Sequence, residues 1–195
     1  MTLDIRPLDG AALAARLDDV ARLRIAVFRD WPYLYDGDLA YERRYLDTYR
    51  TSEDAILVGA FDGDRLVGAA TGTPMEDHAD DFAAAFDGTG YDLDDVFYCA
   101  ESVLLPDHRG QGAGHAFFEL REDHARRLGR RYAAFCAVVR SPDHPARPDG
   151  YRPLDGFWRK RGYRPMEGVE ATFRWKDVGD ADETPHRLAF WIRTL

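Results

Sequence analysis

The stretch Val103-Leu104-Leu105-Pro106-Asp107-His108-Arg109-Gly110-Gln111-Gly112-Ala113-Gly114 joins a β-prone run to a helical one, and its reading decides the fold. Upstream, Val96 to Leu105 reads as a strand; downstream, Gly114 to Leu128 reads as a helix that stops at Gly129. Glycines at 110, 112 and 114 let the main chain approach a ligand closely and turn its N–H groups one way. The helix that starts there adds unpaired N–H groups and the positive end of a dipole, and Arg109 adds a full charge. Together these form a cradle for a pyrophosphate. Two other phosphate loops are excluded by spacing. A dinucleotide fingerprint begun at Gly110 needs glycine where His115 stands, and a P-loop needs Gly-Lys-Ser/Thr, whereas the only lysines are Lys160 and Lys176. For the glycines alone, an ordinary strand-to-helix turn is the plain alternative.

Working outward, Leu3 to Leu8 alternates as a short first strand, with Pro7 marking an edge. Leu13, Leu17, Val20, Val27 and Phe28 recur at helical spacing as far as Asp30. Trp31 to Gly37 is an aromatic loop, followed by a helix with Tyr41, Tyr45 and Tyr49 on one face. Such a stripe is most simply core packing. Ala55–Phe61, Asp62-Gly63-Asp64 and Arg65–Thr71 form a strand, a turn and a strand. Met75 to Tyr91 holds a short acidic helix, Arg131 to Val139 a strand, and Ser141 to Pro153 a Pro-rich loop. A short helix over Leu154–Arg161 and strands around Val169–Trp175 and Leu188–Arg193 close the chain. The order β-α-α-β-β-(α)-β-α-β-α-β-β predicts an α/β domain with a mixed sheet.

Composition narrows the function. The 195 residues carry 26 Lys+Arg against 35 Asp+Glu, a formal net charge of −9 that argues against a nucleic-acid binder. A hydrophobic content of 45% supports one full core over residues 1–195 without metal or disulfide staples. Cys99 and Cys136 stand apart in apolar surroundings and read as reduced, buried thiols. The N-terminus lacks an apolar signal core, and no segment approaches the ~20 apolar residues of a membrane span. The expectation is a cytoplasmic protein without nucleic-acid or membrane partners, and it leaves a homodimer open.

Arg109-Gly-Gln-Gly-Ala-Gly114, after a strand ending Leu-Leu-Pro, resembles the acyl-CoA pyrophosphate motif Gln/Arg-x-x-Gly-x-Gly/Ala of the GNAT superfamily of N-acyltransferases. Phe157-Trp-Arg-Lys-Arg-Gly-Tyr163 is similar to that superfamily's Phe-Tyr-x-Lys-x-Gly-Phe helix end, at the matching distance of one helix and one strand. The resemblance covers Leu3 to Leu195. It implies a mostly antiparallel central sheet of about seven strands, splayed into a V between strands 4 and 5, with helices on both faces. It also implies acetyl-CoA as acyl donor, an amine as acceptor and no metal. Main-chain groups around Val103, Leu104 and Leu105 would then pair with the pantetheine arm. Arg109, Gly110 and the N–H groups of Gln111, Gly112, Ala113 and Gly114 would hold the pyrophosphate, with Trp158 near the thioester.

The match departs at the catalytic positions. Where the family has a tyrosine as general acid, this chain has Trp158, whose indole does not titrate usefully. Tyr151 stands where many members carry an asparagine, and is one phenol that could replace the missing one, or else a loop aromatic. Tyr98 stands where histone-acetylating members carry a glutamate, and Glu101 follows three residues later. Strand alternation sends 98 and 101 to opposite faces unless a bulge falls between them. A carboxylate in the apolar run Phe97–Leu105 is costly unless it is paired or serves as a base. Glu101 is therefore the expected base, or a structural glutamate facing the covering helices, with Tyr98 or Tyr151 as acid. The expected function is acetyl transfer from acetyl-CoA to a primary amine of a small molecule, an amino acid or a peptide, by direct attack with general-base assistance. The alternative is a degenerate acyl-CoA-binding sensor.

Overall fold

The computed structural model describes residues 2–8 and 10–195. Its elements run β1 (Asp4–Leu8), α1 (Gly10–Phe28), α2 (Leu39–Thr51), β2 (Ile56–Asp62), β3 (Arg65–Pro74), α3 (Ala79–Phe86), β4 (Val96–Tyr98) and β5 (Ser102–Leu104). They continue with α4 (Ala113–Arg127), β6 (Tyr132–Val138), α5 (Asp155–Lys160), β7 (Arg164–Trp175) and β8 (Thr184–Thr194). The strands form one sheet in the order β1-β2-β3-β4-β6-β8-β7, with β5 paired only to β3. Among these pairs only β4–β6 is parallel. Pro7 lies on the edge strand β1, where its missing N–H removes no interior ladder bond.

Alternation on β2 distributes the core. Ile56, Val58 and Ala60 meet Phe117 and Phe118 of α4, whereas Leu57 and Phe61 meet Val20 of α1 and Leu46 of α2. Helices thus cover both faces, as the resemblance implies. A third apolar cluster joins Phe82 and Phe86 of α3 to Phe190 and Ile192 of β8. Asp38 caps α2 by accepting from the amides of Ala40 and Tyr41.

One expected strand is two. Between β4 and β5 the pairing with β3 slips by one residue, from Thr73 opposite Tyr98 to Ala70 opposite Ser102. Thr71 meets both extra residues: the Ala100 amide donates to its carbonyl, and its own amide donates to the Glu101 carbonyl, each at 3.1 Å. Two residues opposite one is a β-bulge. This split makes eight strands where about seven are expected. Beyond the bulge, β4's partner β6 is no longer reached, because the last bond between them is Cys99 N to Ala134 O at 2.8 Å. The sheet splays there.

Arg121 of α4, 1% exposed, holds the bulge from beneath. Its guanidinium donates to the carbonyls of Thr71 and Glu101, both at 3.0 Å, and to Ser102 Oγ at 2.8 Å. Its Nε donates to the Phe117 carbonyl at 3.1 Å. A planar fork of five donors suits a place where strand carbonyls crowd together. Arg121→Met keeps the aliphatic stem and removes every donor. Urea unfolding should show a loss of about 3 kcal/mol, the cost of several buried acceptors losing a charged donor.

Candidate active site

The bulge turns Glu101 and Tyr98 to the same side. Both line a cavity of about 110 Å³, walled chiefly by rings from α1, α2, α3, β7 and the aromatic loop. Glu101 thus faces the cavity and is also paired to the covering helices. Arg24 Nη1 of α1 lies 2.8 Å from its Oε2, and the Tyr45 hydroxyl of α2 donates to the same oxygen at 3.2 Å. Arg24 Nε also donates to Glu42 of α2, which is fully buried. One guanidinium thus serves two carboxylates. Glu101 Oε1 and Glu42 Oε1 have no partner among the described residues. Burial opposes the charge on Arg24, but Glu101, Tyr45 and Glu42 outweigh it and raise its pKa well above the ordinary value.

Tyr98 is buried, and its hydroxyl lies 3.4 Å from Cys136 Sγ. Burial, the neighbouring thiol and nearby phenols push its pKa well above that of a free phenol, so Tyr98 keeps its proton. Burial likewise pushes the Cys136 thiol up to about 12, as suits a packed cysteine rather than a nucleophile. The tyrosine stripe of α2 divides: Tyr49 lies in the core, while Tyr41 and Tyr45 reach the cavity. Core packing accounts for only part of it.

Tyr151 is not brought to Glu101. Its ring packs edge-on against Trp31 at 6.0 Å, in the Pro-rich loop and away from the cavity lining. Trp158 of α5 packs on Phe135 at 4.9 Å and Trp191 at 5.1 Å. Arg140 holds the aromatic loop in place. It donates to the carbonyls of Pro32 and Tyr33 and pairs with both oxygens of Asp177 at 2.7 and 2.8 Å, which leaves it no free face for a substrate anion.

His78 was not among the candidates read from the sequence. It sits in a single 3-10 turn, Met75–His78, lines the cavity, and stacks edge-on against Tyr98 at 5.3 Å. Burial lowers its pKa below the usual 6.5, although Asp81 and Glu101 oppose this. Asp81 Oδ2, 3.9 Å from Nδ1, favours the tautomer with the proton there, which leaves the buried, unpartnered Nε2 as an acceptor. No motif surrounds this histidine, so only the fold could find it.

The sequence-implied cofactor groove adjoins this cavity. The Leu105 amide donates to Val67 of β3 and the Glu101 carbonyl accepts from Thr71, so alternation turns the main chain of 101, 103 and 105 toward β3. Val103 and Leu105 are thus engaged, and the open edge offers the main-chain groups of Ser102 and Leu104. Arg109 Nε currently donates to the Leu104 carbonyl at 3.1 Å. Gly110 and Gly112 take φ of 77° and 87°, and a Cβ at either would meet nothing within 4 Å. Gln111 is exposed at the tip of this turn, Ala113 is buried, and Gly114 lies against Phe157, which a Cβ would meet at 3.5 Å. The first amides of α4, at Ala113 and Gly114, belong to the turn that lacks intrahelical partners. These residues fit an acyl-CoA: an unpaired strand edge for its amide arm and a glycine cradle with free N–H groups for its pyrophosphate.

Comparison with known proteins agrees. Residues 20–163 match the family described as Acetyltransferase (GNAT), and the chain belongs to it. Acetyl-CoA-dependent acetyl transfer is that family's general activity. Similar solved structures include a ribosomal-protein-alanine N-acetyltransferase from Brucella melitensis, at 14% identity and a TM-score of 0.63, covering 99% of this chain and 100% of that one. A phosphinothricin acetyltransferase from Sinorhizobium meliloti in complex with AcCoA has 17% identity and a TM-score of 0.61, covering 100% of this chain and 89% of that one. A putative acetyltransferase from Salmonella typhimurium with its cofactor acetyl-CoA has 15% identity and a TM-score of 0.60, covering 100% and 95%. At these identities the likeness is one of fold. No curated protein matches the chain by sequence.

Two variants probe the two halves of the site. Gly112→Val puts a branched side chain at positive φ and into the cradle, at a strain of about 1–2 kcal/mol. Calorimetry should find CoA binding abolished while circular dichroism shows a folded protein. Arg24→Met leaves two buried carboxylates without their cation and should cost about 3–5 kcal/mol in denaturant unfolding. Glu101→Gln leaves Arg24 and Glu42 paired one to one and should cost less than half as much.

Proposed function

We propose that the protein transfers the acetyl group of acetyl-CoA to a primary amine held in the aromatic cavity. The observation that carries this reading is the bulge at Ala100 and Glu101. It makes the open edge of β5 and the cavity wall adjoining stretches of one chain. Donor groove and acceptor pocket therefore meet at residues 101 and 102. When bound, the thioester supplies an already activated acyl carbon, so positioning carries much of the rate.

An amine attacks only after losing a proton. Sequence reading gives that proton to Glu101. Its Oε2 is already taken by Arg24 and by the Tyr45 hydroxyl, which suits Glu101 to anchoring the amine. His78 Nε2, buried, neutral and unpartnered, is the acceptor left free in the same cavity. Tyr98 keeps its proton and lines the same cavity, and in this reading it donates a hydrogen bond to the departing sulfur. In this role it, rather than Tyr151, stands in for the tyrosine that Trp158 replaces.

The rival reading, an acyl-CoA sensor, draws on Trp158. An unpaired imidazole nitrogen and an unpaired carboxylate oxygen in one cavity favour turnover over mere binding. Free-thiol release from acetyl-CoA across a panel of primary amines separates the two, since a sensor binds CoA and releases no thiol. His78→Gln should lower turnover by about 10²–10⁴ and leave CoA affinity unchanged. In the wild type, kcat/KM should fall as pH drops through a limb centred below 6.5, because protonated His78 accepts nothing; the variant should lose that limb. Wild-type turnover in a folded His78→Gln protein would return the role to Glu101.

A further inference from the structure

The cavity lining carries both signs of charge, and one further carboxylate stands behind it. Its interior holds Arg24 against Glu101, with Glu42 directly behind on the same guanidinium. At the mouth, Asp81 and Arg174 offset each other, and Arg174 also donates to the Glu183 carbonyl. Burial leaves the imidazole of His78 uncharged at neutral pH. It likewise holds the phenols of Tyr33, Tyr45 and Tyr98 neutral. The interior therefore brings Arg24 and Glu101 together, with the Glu42 carboxyl behind on the same guanidinium.

That arrangement lacks a positive partner. An uncompensated buried charge is expensive, and a carboxylate oxygen without a donor adds to the cost. Glu101 is 5% exposed, lines the cavity, and has Oε1 free. Arg24 is already shared between two carboxylates. Its Nε is on Glu42, its Nη1 on Glu101, and its face lies 4.2 Å from the Tyr45 ring and 5.1 Å from that of Phe28. Around it stand Tyr33, Tyr35, Phe82, Tyr98 and Trp175, rings that favour a cation and an apolar body together.

Resting on the acetyltransferase reading, we propose that the acceptor is a cationic alkyl- or arylalkylamine without a carboxylate or other anionic group. Its ammonium sits against Glu101 and its apolar part among the rings. The ammonium supplies the missing charge and up to three N–H donors, one of them for the free Oε1. Before attack one proton passes from the nitrogen to His78 Nε2. The freed lone pair then forms the N–C bond as the C–S bond breaks, its electron pair and a proton leaving with the thiol. An α-amino acid brings a carboxylate beside Glu101, with Glu42 behind it, where the like charges repel.

Matched ligands test this without turnover. Calorimetry on the full chain without acetyl-CoA should compare 2-phenylethylamine, phenylalanine and 3-phenylpropionate, which share a ring and a two-carbon spacer and differ in charge. The amine should bind at least about 100-fold more tightly than either carboxylate, as like-charge juxtaposition demands. In Glu101→Gln that preference should shrink to within about tenfold, because Arg24 and Glu42 then balance. Comparable binding of phenylalanine or 3-phenylpropionate to the wild type would overturn the proposal, as would binding of none of the three, and neither result depends on the variant's folding. A preference unchanged in folded Glu101→Gln would overturn the role of Glu101. Cation binding without thiol release from acetyl-CoA would sink the enzymatic reading alone.

Discussion

Arg121 lies under the sheet with almost no exposure, and its guanidinium holds the carbonyls of Thr71 and Glu101 at the point where β4 gives way to β5. A bulge crowds acceptors that a regular ladder would space apart, and a buried carbonyl short of donors is costly. A single planar side chain satisfies both carbonyls and Ser102 Oγ at once. With the bulge stabilised, β5 leaves β6 and opens an edge, and Glu101 turns into the cavity. Both halves of the site follow from that one slip in register.

The second constraint is charge. Arg24, Glu42 and Glu101 form a buried set in which α1, α2 and the bulge each contribute one member. This ties the helical cover to the sheet at the place where the acceptor would sit. A neutral pair would serve stability as well or better, because desolvation often cancels the attraction between buried ions. The extra carboxylate is therefore easier to understand as part of a binding site than as a device for folding.

The aromatic loop shows how a wall is held without regular structure. Arg140, at the end of β6, binds two of its carbonyls and Asp177 in the β7–β8 connection. Trp175 Nε1 donates to Asp177 at 3.0 Å and also lies 3.2 Å from the Tyr33 carbonyl. Trp175 also stacks one face on His186 at 3.8 Å, and the Tyr33 ring packs against Phe28 and Trp175 at the cavity wall.

Much of this was legible in the chain. The RGQGAG turn needs three glycines for its main-chain geometry, and that need is written in residue type, so the cradle and the family could be read directly. Hydrophobic periodicity placed the strands and helices for the same reason: it is a property of neighbours along the chain. The bulge was different. Whether Glu101 faced Tyr98 or opposed it depended on a one-residue slip against Thr71 of another strand, held by Arg121, which follows Thr71 by 50 positions. The division of the α2 tyrosines, the packing of Tyr151 on Trp31 and the place of His78 depended likewise on partners distant in sequence. Local chemistry determined the phosphate cradle and the order of elements; only tertiary packing decided which carboxylate, phenol and imidazole share a cavity, because side-chain proximity across a sheet is set by register and not by spacing along the chain.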